Sequence, residues 1–327
     1  MTRAVVATAF GGPEVLAVIQ TPAGSPGPSE ALISVRAAGT NPIDYKLYSG
    51  AMGQVTARLP MRLGYEAAGV VTEVADGAEG PGGPIRVGDE VVAYRINGAY
   101  AADVKAPLSS VIPKPSPLSF EEASGMMLTG VTAAHALTVV GVGAGQTVLI
   151  HGASGGVGLM AVQLAMASGA RVIGTARQSG HELLRDFGAE PVLYGAGLEE
   201  RIRALAPGGV DAAVDCAGGD EALDTSLALV ASRGEIVTVV ASRRAFDSGI
   251  KVIGGAPGAD PGPRSGLPPG FRLLGSPRRA SCEWLWLRRI RWPRPRTPTG
   301  RWPPGTPAAR SCWCLSRLCR RWRAGCL

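Results

Sequence analysis

The chain has 327 residues, room for two ordinary domains, and its 46% hydrophobic content is that of a globular protein. Its net charge of +7 is concentrated at one end: residues 261–327 hold 15 Arg, no Lys and one acid, Glu283, a balance of +14 that leaves −7 for the remainder. An acidic body with one cysteine, Cys216, excludes a disulfide framework and does not call for a nucleic-acid partner, and no apolar run is long enough to span a bilayer.

In chain order, residues 1 to about 125 predict a β-rich unit. Ala31-Leu-Ile-Ser-Val-Arg36, Gly69-Val-Val-Thr-Glu-Val74 and Glu90-Val-Val-Ala-Tyr94 are strand-like, and Gly/Pro clusters such as Gly80-Pro-Gly-Gly-Pro84 separate them. Asn41-Pro-Ile-Asp-Tyr-Lys-Leu-Tyr48 reads as a loop able to carry a site. The opening Met1-Thr-Arg-Ala-Val-Val-Ala-Thr8 lacks the apolar core of a secretory signal, so a cytoplasmic protein is expected.

Ser119 followed by Glu122 is a capping-box pattern and predicts a helix from Phe120 toward Val140. Strands and helices then alternate. Strands are predicted at Thr147–His151, Arg171–Thr175, Val192–Leu193, Val210–Asp215, Glu235–Val240 and Lys251–Gly254. Helices are predicted at Val157–Ser168, His181–Phe187, Leu198–Leu205 and Glu221–Val230. Such alternation implies a parallel sheet covered on both faces, an α/β fold of the Rossmann, doubly wound kind.

The strongest chemical signal is Val148-Leu-Ile-His-Gly-Ala-Ser-Gly-Gly-Val-Gly158, which runs from a strand through a glycine turn into a helix. A pyrophosphate needs bare backbone N–H groups backed by a helix N-terminus. In G-x-G-x-x-G spacing the three positions are Ala153, Gly155 and Gly158, with Ser154, Gly156 and Val157 between them. The second strand closes on Thr175-Ala176-Arg177, with no acid for a ribose 2′-hydroxyl. Hydroxyl plus guanidinium suits a 2′-phosphate, so NADPH is the expected cofactor. No metal site is expected: the body's donors are Cys216, His135, His151 and His181, none in the β-rich unit, and the spacing of Cys312, Cys314 and Cys319 does not suit zinc.

Asn41-Pro-Ile-Asp-Tyr-Lys46, Gly64-Tyr-Glu-Ala-Ala-Gly-Val-Val71, Gly88-Asp-Glu-Val-Val92, Gly98-Ala-Tyr-Ala-Ala-Asp103, Thr129-Gly-Val-Thr-Ala-Ala134 and the glycine turn occur in order. Together they resemble the quinone oxidoreductase branch of the medium-chain dehydrogenase/reductase superfamily, the zeta-crystallin-like, zinc-free enzymes, over residues 1 to about 260. The resemblance implies a GroES-like catalytic domain over 1–122, an NADPH-binding Rossmann domain over 123–260, and hydride transfer to a quinone, enone or other activated carbonyl. It places Asn41 beside the nicotinamide, Asp44 as an organiser of that segment, Thr129 near the cofactor and Tyr194 near the 2′-phosphate. Ala217, Gly218, Val240 and Ala241 follow the fourth and fifth strands, where loops line the ligand crevice. The family's tyrosine proton donor falls at Lys46, so Tyr48, Lys46 or solvent stands in for it.

After Pro261 the periodicity stops, and Arg291-Trp-Pro-Arg-Pro-Arg296 fits neither strand nor helix. Trp has a single codon, which lets the reading frame be tested on paper. Shifted by one base, with synonymous codons chosen freely, Thr306–Leu315 becomes H-T-R-G-K-I-V-L-V-P, a closing strand of the kind the family has. Residues 261–327 are therefore expected to be an out-of-frame, disordered tail, and the in-frame protein a homodimer. Two other functions remain open: an NADPH-binding module without turnover, and an RNA-binding protein acting through the Arg/Trp tail.

Overall fold

The computed structural model describes residues 1–262, so the expectations for the tail lie outside the described residues apart from its first two positions. These residues fall into two units, Met1–Leu128 and the segment from Thr129 onward.

The first unit is β-rich. It contains β1 (Thr2–Ala7), β2 (Leu16–Thr21), β3 (Glu30–Ala38), α1 (Pro42–Tyr48), β4 (Met61–Arg62), β5 (Glu66–Val74), β6 (Glu79–Gly80), β7 (Gly83–Pro84), β8 (Glu90–Tyr94), β9 (Asp103–Pro107), β10 (Val111–Pro113) and α2 (Phe120–Ser124). A five-stranded antiparallel sheet has the order β10-β8-β5-β3-β9, and a smaller sheet the order β2-β1-β4. In the larger sheet, alternate residues such as Ile33, Val71, Val91, Val104 and Val111 turn inward and form one apolar core. Gly69 has no alternative there, because a Cβ would collide with the Ser34 carbonyl of β3.

Two sequence expectations are corrected in this unit. Asn41–Tyr48 is not a loop: Asn41 stands at the N-cap, Pro42 at the first helical position, and α1 follows. The helix expected from Phe120 to Val140 is two helices, because the chain breaks at Gly125-Met126 between α2 and α3 (Met127–Val139). The capping box on α2 forms as expected, with the Glu122 N–H donating to Ser119 Oγ at 3.2 Å and the Ser119 N–H to Glu122 Oε2 at 2.9 Å.

After α3, which crosses the boundary between the units, the second unit contains β11 (Thr147–His151), α4 (Gly156–Ala167), β12 (Arg171–Ala176), α5 (His181–Asp186), β13 (Glu190–Leu193), α6 (Leu198–Leu205), β14 (Ala212–Asp215), α7 (Asp220–Leu229), β15 (Ile236–Thr238), α8 (Arg243–Asp247) and β16 (Lys251–Val252). Its six strands are parallel in the order β13-β12-β11-β14-β15-β16. Counted from β11, that is third, second, first, fourth, fifth, sixth: the doubly wound dinucleotide-binding order. Leu149, Ile173, Val192, Ile202, Leu223 and Ile236 pack into its core. The expected strand–helix alternation is present, with α8 as the unanticipated element, capped by Ser242 Oγ accepting from the Ala245 N–H.

Candidate functional site

The glycine turn lies where β11 passes into α4, at the C-terminal end of a central strand. Gly152 sits at φ +66°, a conformation that favours glycine. At Gly158 a Cβ would collide with the Gly152 carbonyl and lie 2.8 Å from Ala153 Cα, so helix and turn touch backbone to backbone. Gly155 is different: its φ is −78° and a Cβ would meet only the Gly152 carbonyl, at 3.2 Å. No side chain caps α4, and its first turn holds no acid. Its leading N–H groups therefore remain open beside the positive end of the helix dipole, which suits a pyrophosphate.

Neighbouring contacts bring several predicted residues to this turn. A Cβ on Gly156 would meet Thr129 Cγ2 at 3.1 Å, and one on Gly180 would meet Ser154 Cβ at 2.9 Å. Ala217 packs over Gly152, where a Cβ would approach its backbone N to 3.2 Å; Val240 lies against Gly218, itself at φ +73°. Ala241 follows, exposed. Asp215 organises this side: Oδ1 accepts from the Ala217 and Gly218 N–H groups at 2.9 and 2.8 Å, and Oδ2 from Thr238 Oγ1 at 2.8 Å.

Thr175 and Arg177 part company. Thr175 is buried, and its hydroxyl accepts from the Gly152 N–H at 3.1 Å, which braces the turn. Ala176, also buried, pairs with Leu193 as the last rung between β12 and β13. The next residues on the two strands are Arg177, exposed, and Tyr194, 46% exposed. An accessible guanidinium and phenol thus end adjacent strands.

In the first unit a polar cluster gathers around the start of α1. Asp44 Oδ2 accepts from the Asn41 N–H and from Tyr100 Oη, each at 2.8 Å, while Oδ1 is buried without a hydrogen bond. Burial raises the Asp44 pKa, and Tyr100, the Asn41 N–H and the Gly64 N–H pull it back. Asn41 Nδ2 donates to Glu66 Oε1 at 2.9 Å. Glu66 is fully buried, and burial lifts its pKa to about 7 against the pull of Asn41 and of the Leu128 and Met127 N–H groups. Tyr48, at the far end of α1, packs against the apolar cluster of Ala7, Met61 and Leu63.

Sequence reasoning singled out Asn41 and Asp44 but missed Glu66 and Tyr100. Both stand in quoted motifs, and an acid opening the apolar run Glu66-Ala-Ala-Gly-Val-Val71 was a signal available beforehand.

Each histidine has a local partner. His151 Nε2 faces Ser226 Oγ at 3.1 Å; that hydroxyl donates to the Ala222 carbonyl, so the imidazole proton resides on Nε2. Burial lowers the His151 pKa to about 4, against the opposing pull of Asp215 and Glu221. His181 Nε2 faces the Ala176 carbonyl and His135 Nε2 faces Asp260. Burial, then Asp215, push the Cys216 thiol up. Among the described residues no three His, Cys, Asp or Glu are grouped to hold a metal ion, and no helix is long and apolar enough to cross a membrane.

Comparison with known proteins gives concordant matches. The family model "Alcohol dehydrogenase GroES-like domain" matches residues 27–138, and the model "Zinc-binding dehydrogenase" matches residues 156–252. A quinone oxidoreductase of Mus musculus is 34% identical over 249 residues, 73% of this chain and 73% of that protein. The synaptic vesicle membrane protein VAT-1 homolog of the same species is 33% identical over 242 residues, 72% of this chain; the chain spans only 58% of that relative's length. Among solved structures, a quinone oxidoreductase from Coxiella burnetii superposes with a TM-score of 0.65 at 32% identity, over 77% of this chain and 81% of that one. A mycobacterial protein solved in complex with NADPH gives 0.66 at 34% identity, over 79% and 81%.

Proposed function

Since this chain belongs to the medium-chain dehydrogenase/reductase family, among its quinone oxidoreductase-like members, we propose that it is an NADPH-dependent oxidoreductase acting on a quinone, enone or activated carbonyl. The observation that carries the proposal is the bare glycine turn and uncapped α4, with exposed Arg177 where an NAD enzyme would have an acid. When bound, the nicotinamide supplies a hydride. The N–H groups of Gly156, Val157 and Gly158 would hold the pyrophosphate, with Ala153, Ser154 and Gly155, whose own N–H donates to the Gly152 carbonyl, shaping the turn and Thr129 beside it. Arg177 and Tyr194, at the ends of adjacent strands, would hold the 2′-phosphate, with Thr175 and Ala176 just before Arg177 in the same strand. The loops of Ala217, Gly218, Val240 and Ala241 border the nucleotide.

Asn41 and Asp44 are assigned to the reacting end, and Tyr48, Lys46 or solvent returns the proton that balances the hydride. Zinc is not required in this scheme, because His135, His151, His181 and Cys216 are dispersed through the second unit and each histidine is engaged locally. We further propose the domain limits 1–122 and 123–260, a cytoplasmic location and an in-frame homodimer.

The decisive measurement is cofactor preference. NADPH should bind more tightly than NADH, and Arg177→Ala should narrow the gap by roughly tenfold or more, the value of a charge-assisted hydrogen bond of about 1.5–3 kcal/mol. Oxidation of NADPH by a quinone should persist after exhaustive chelation. Equal affinity for the two cofactors would refute the phosphate assignment, and activity lost together with one bound zinc per chain would refute the metal-free scheme.

A further inference from the structure

Glu66 opens β5 as a fully buried acid, and its partners come from different elements. Oε1 accepts from the Asn41 amide at the cap of α1, and Oε2 accepts from the Leu128 N–H at 2.8 Å, at the start of α3, with the Met127 N–H also turned toward it. Space for the carboxylate is made at Gly39, where a Cβ would lie 2.6 Å from Oε1 and collide with the Ser124 carbonyl. An acid is a costly way to fill that space, since a buried carboxylate loses its hydration. What it gains over an apolar residue is a pair of acceptors aimed at two donors from different elements, the Asn41 amide and the Leu128 N–H.

Building on the assignment of Asn41 to the reacting end, we propose that Glu66 is a positioning residue that fixes the Asn41 side-chain amide for the reaction and holds it fully only as the carboxylate. A protonated carboxyl turns one of its two oxygens into a donor, which then faces either Asn41 Nδ2–H or the Leu128 N–H. The groups turned toward Glu66 are Asp44 from α1, which raises its pKa further, Tyr94 from the paired strand β8, and the N–H groups of α3. With the pKa near 7, the amide passes between two states of restraint around neutrality.

The test uses the full chain, isotopically labelled, in four forms: unmodified, Glu66→Gln, Asn41→Ala and the double variant. The Asn41 Nδ2 resonance is followed by NMR from mildly acid to mildly alkaline pH, and NADPH oxidation is measured over the same range. The resonance should titrate with an inflection near 7 that disappears in Glu66→Gln. In that variant kcat should fall about tenfold, with KM for NADPH unchanged and the acid limb of the profile flattened. The double variant should be no slower than Asn41→Ala, because Glu66 acts through Asn41. Additive losses, or a resonance indifferent to Glu66→Gln, would overturn the proposal. Should Glu66→Gln fail to fold, an unmodified Asn41 resonance without inflection overturns it alone. If the unmodified chain oxidises no NADPH, the oxidoreductase assignment fails while the NMR titration still decides whether Glu66 controls the amide.

Discussion

At the scale of single residues, two buried titratable groups make opposite demands on pH. Glu66 in the first unit has its pKa raised to about 7, so the folded state keeps a proton that the unfolded chain releases near the ordinary carboxylate value. Its contribution to stability is intact in acid and is lost as pH rises through about 7. His151 in the second unit has its pKa lowered to about 4, so the unfolded chain takes up a proton first as pH falls. Its contribution is intact above the ordinary imidazole value and is lost as pH falls toward 4. At about 1.4 kcal/mol per unit, each contribution is on the order of a few kcal/mol. Denaturant unfolding across this window should show Glu66→Gln without the loss toward neutrality, and His151→Gln without the loss toward acid. A constant difference between the unmodified chain and one of these variants at every pH would remove the basis for that group's demand. Neither demand was legible in the sequence, because periodicity shows that a strand is buried but not which polar side chain inside it keeps a partner.

At the scale of elements, most of the second unit was legible and part of the first was not. The strands at 147–151 and 171–175 and the helix at 198–205 were read within a residue of their observed limits, because long apolar runs and glycine stops mark them. The helix α1 escaped, although Asn41, Pro42 and Asp44 are cap, first-turn and N3 residues of the same logic as Ser119 and Glu122. Its seven residues are too few to show an amphipathic period, so only the cap could have identified it. The break at Gly125-Met126 escaped for another reason: the open end it creates on α3 is satisfied by an acid 62 residues away. The glycine turn itself was legible, but not the division of labour within it. Gly158→Ala should lower Tm by several degrees, since backbone must move to admit the methyl group. Gly155→Ala should lower Tm far less than Gly158→Ala, since its φ suits alanine and a Cβ would meet only the Gly152 carbonyl at 3.2 Å, and under the proposed function it should weaken NADPH binding by at least tenfold, because the methyl would crowd a pyrophosphate held at this turn. Thermal melts with and without NADPH separate the two. Equal effects of both variants on Tm would mean that no ligand space is kept at Gly155.

At the scale of the whole molecule, composition alone would have misled. The basic pI reflects residues 261–327, and an acidic body carries both described units. The order of the six parallel strands has a further consequence. Strands β13, β12 and β11 form one half and β14, β15 and β16 the other, and among the described residues the β11–β14 ladder alone joins the halves within the sheet. Between them the chain passes through Gly208-Gly209, both exposed, with open space where a Cβ on either would sit. A cut there leaves each strand with its ladder intact. Co-expressed fragments ending at Gly208 and beginning at Gly209 should therefore find each other and restore NADPH binding, with affinity within about tenfold of the continuous chain. Fragments that remain apart under native electrophoresis would show that the two halves depend on continuity and not on their shared ladder. Success would make the nucleotide-binding unit a split reporter, its reassembly read directly by the fluorescence of bound NADPH.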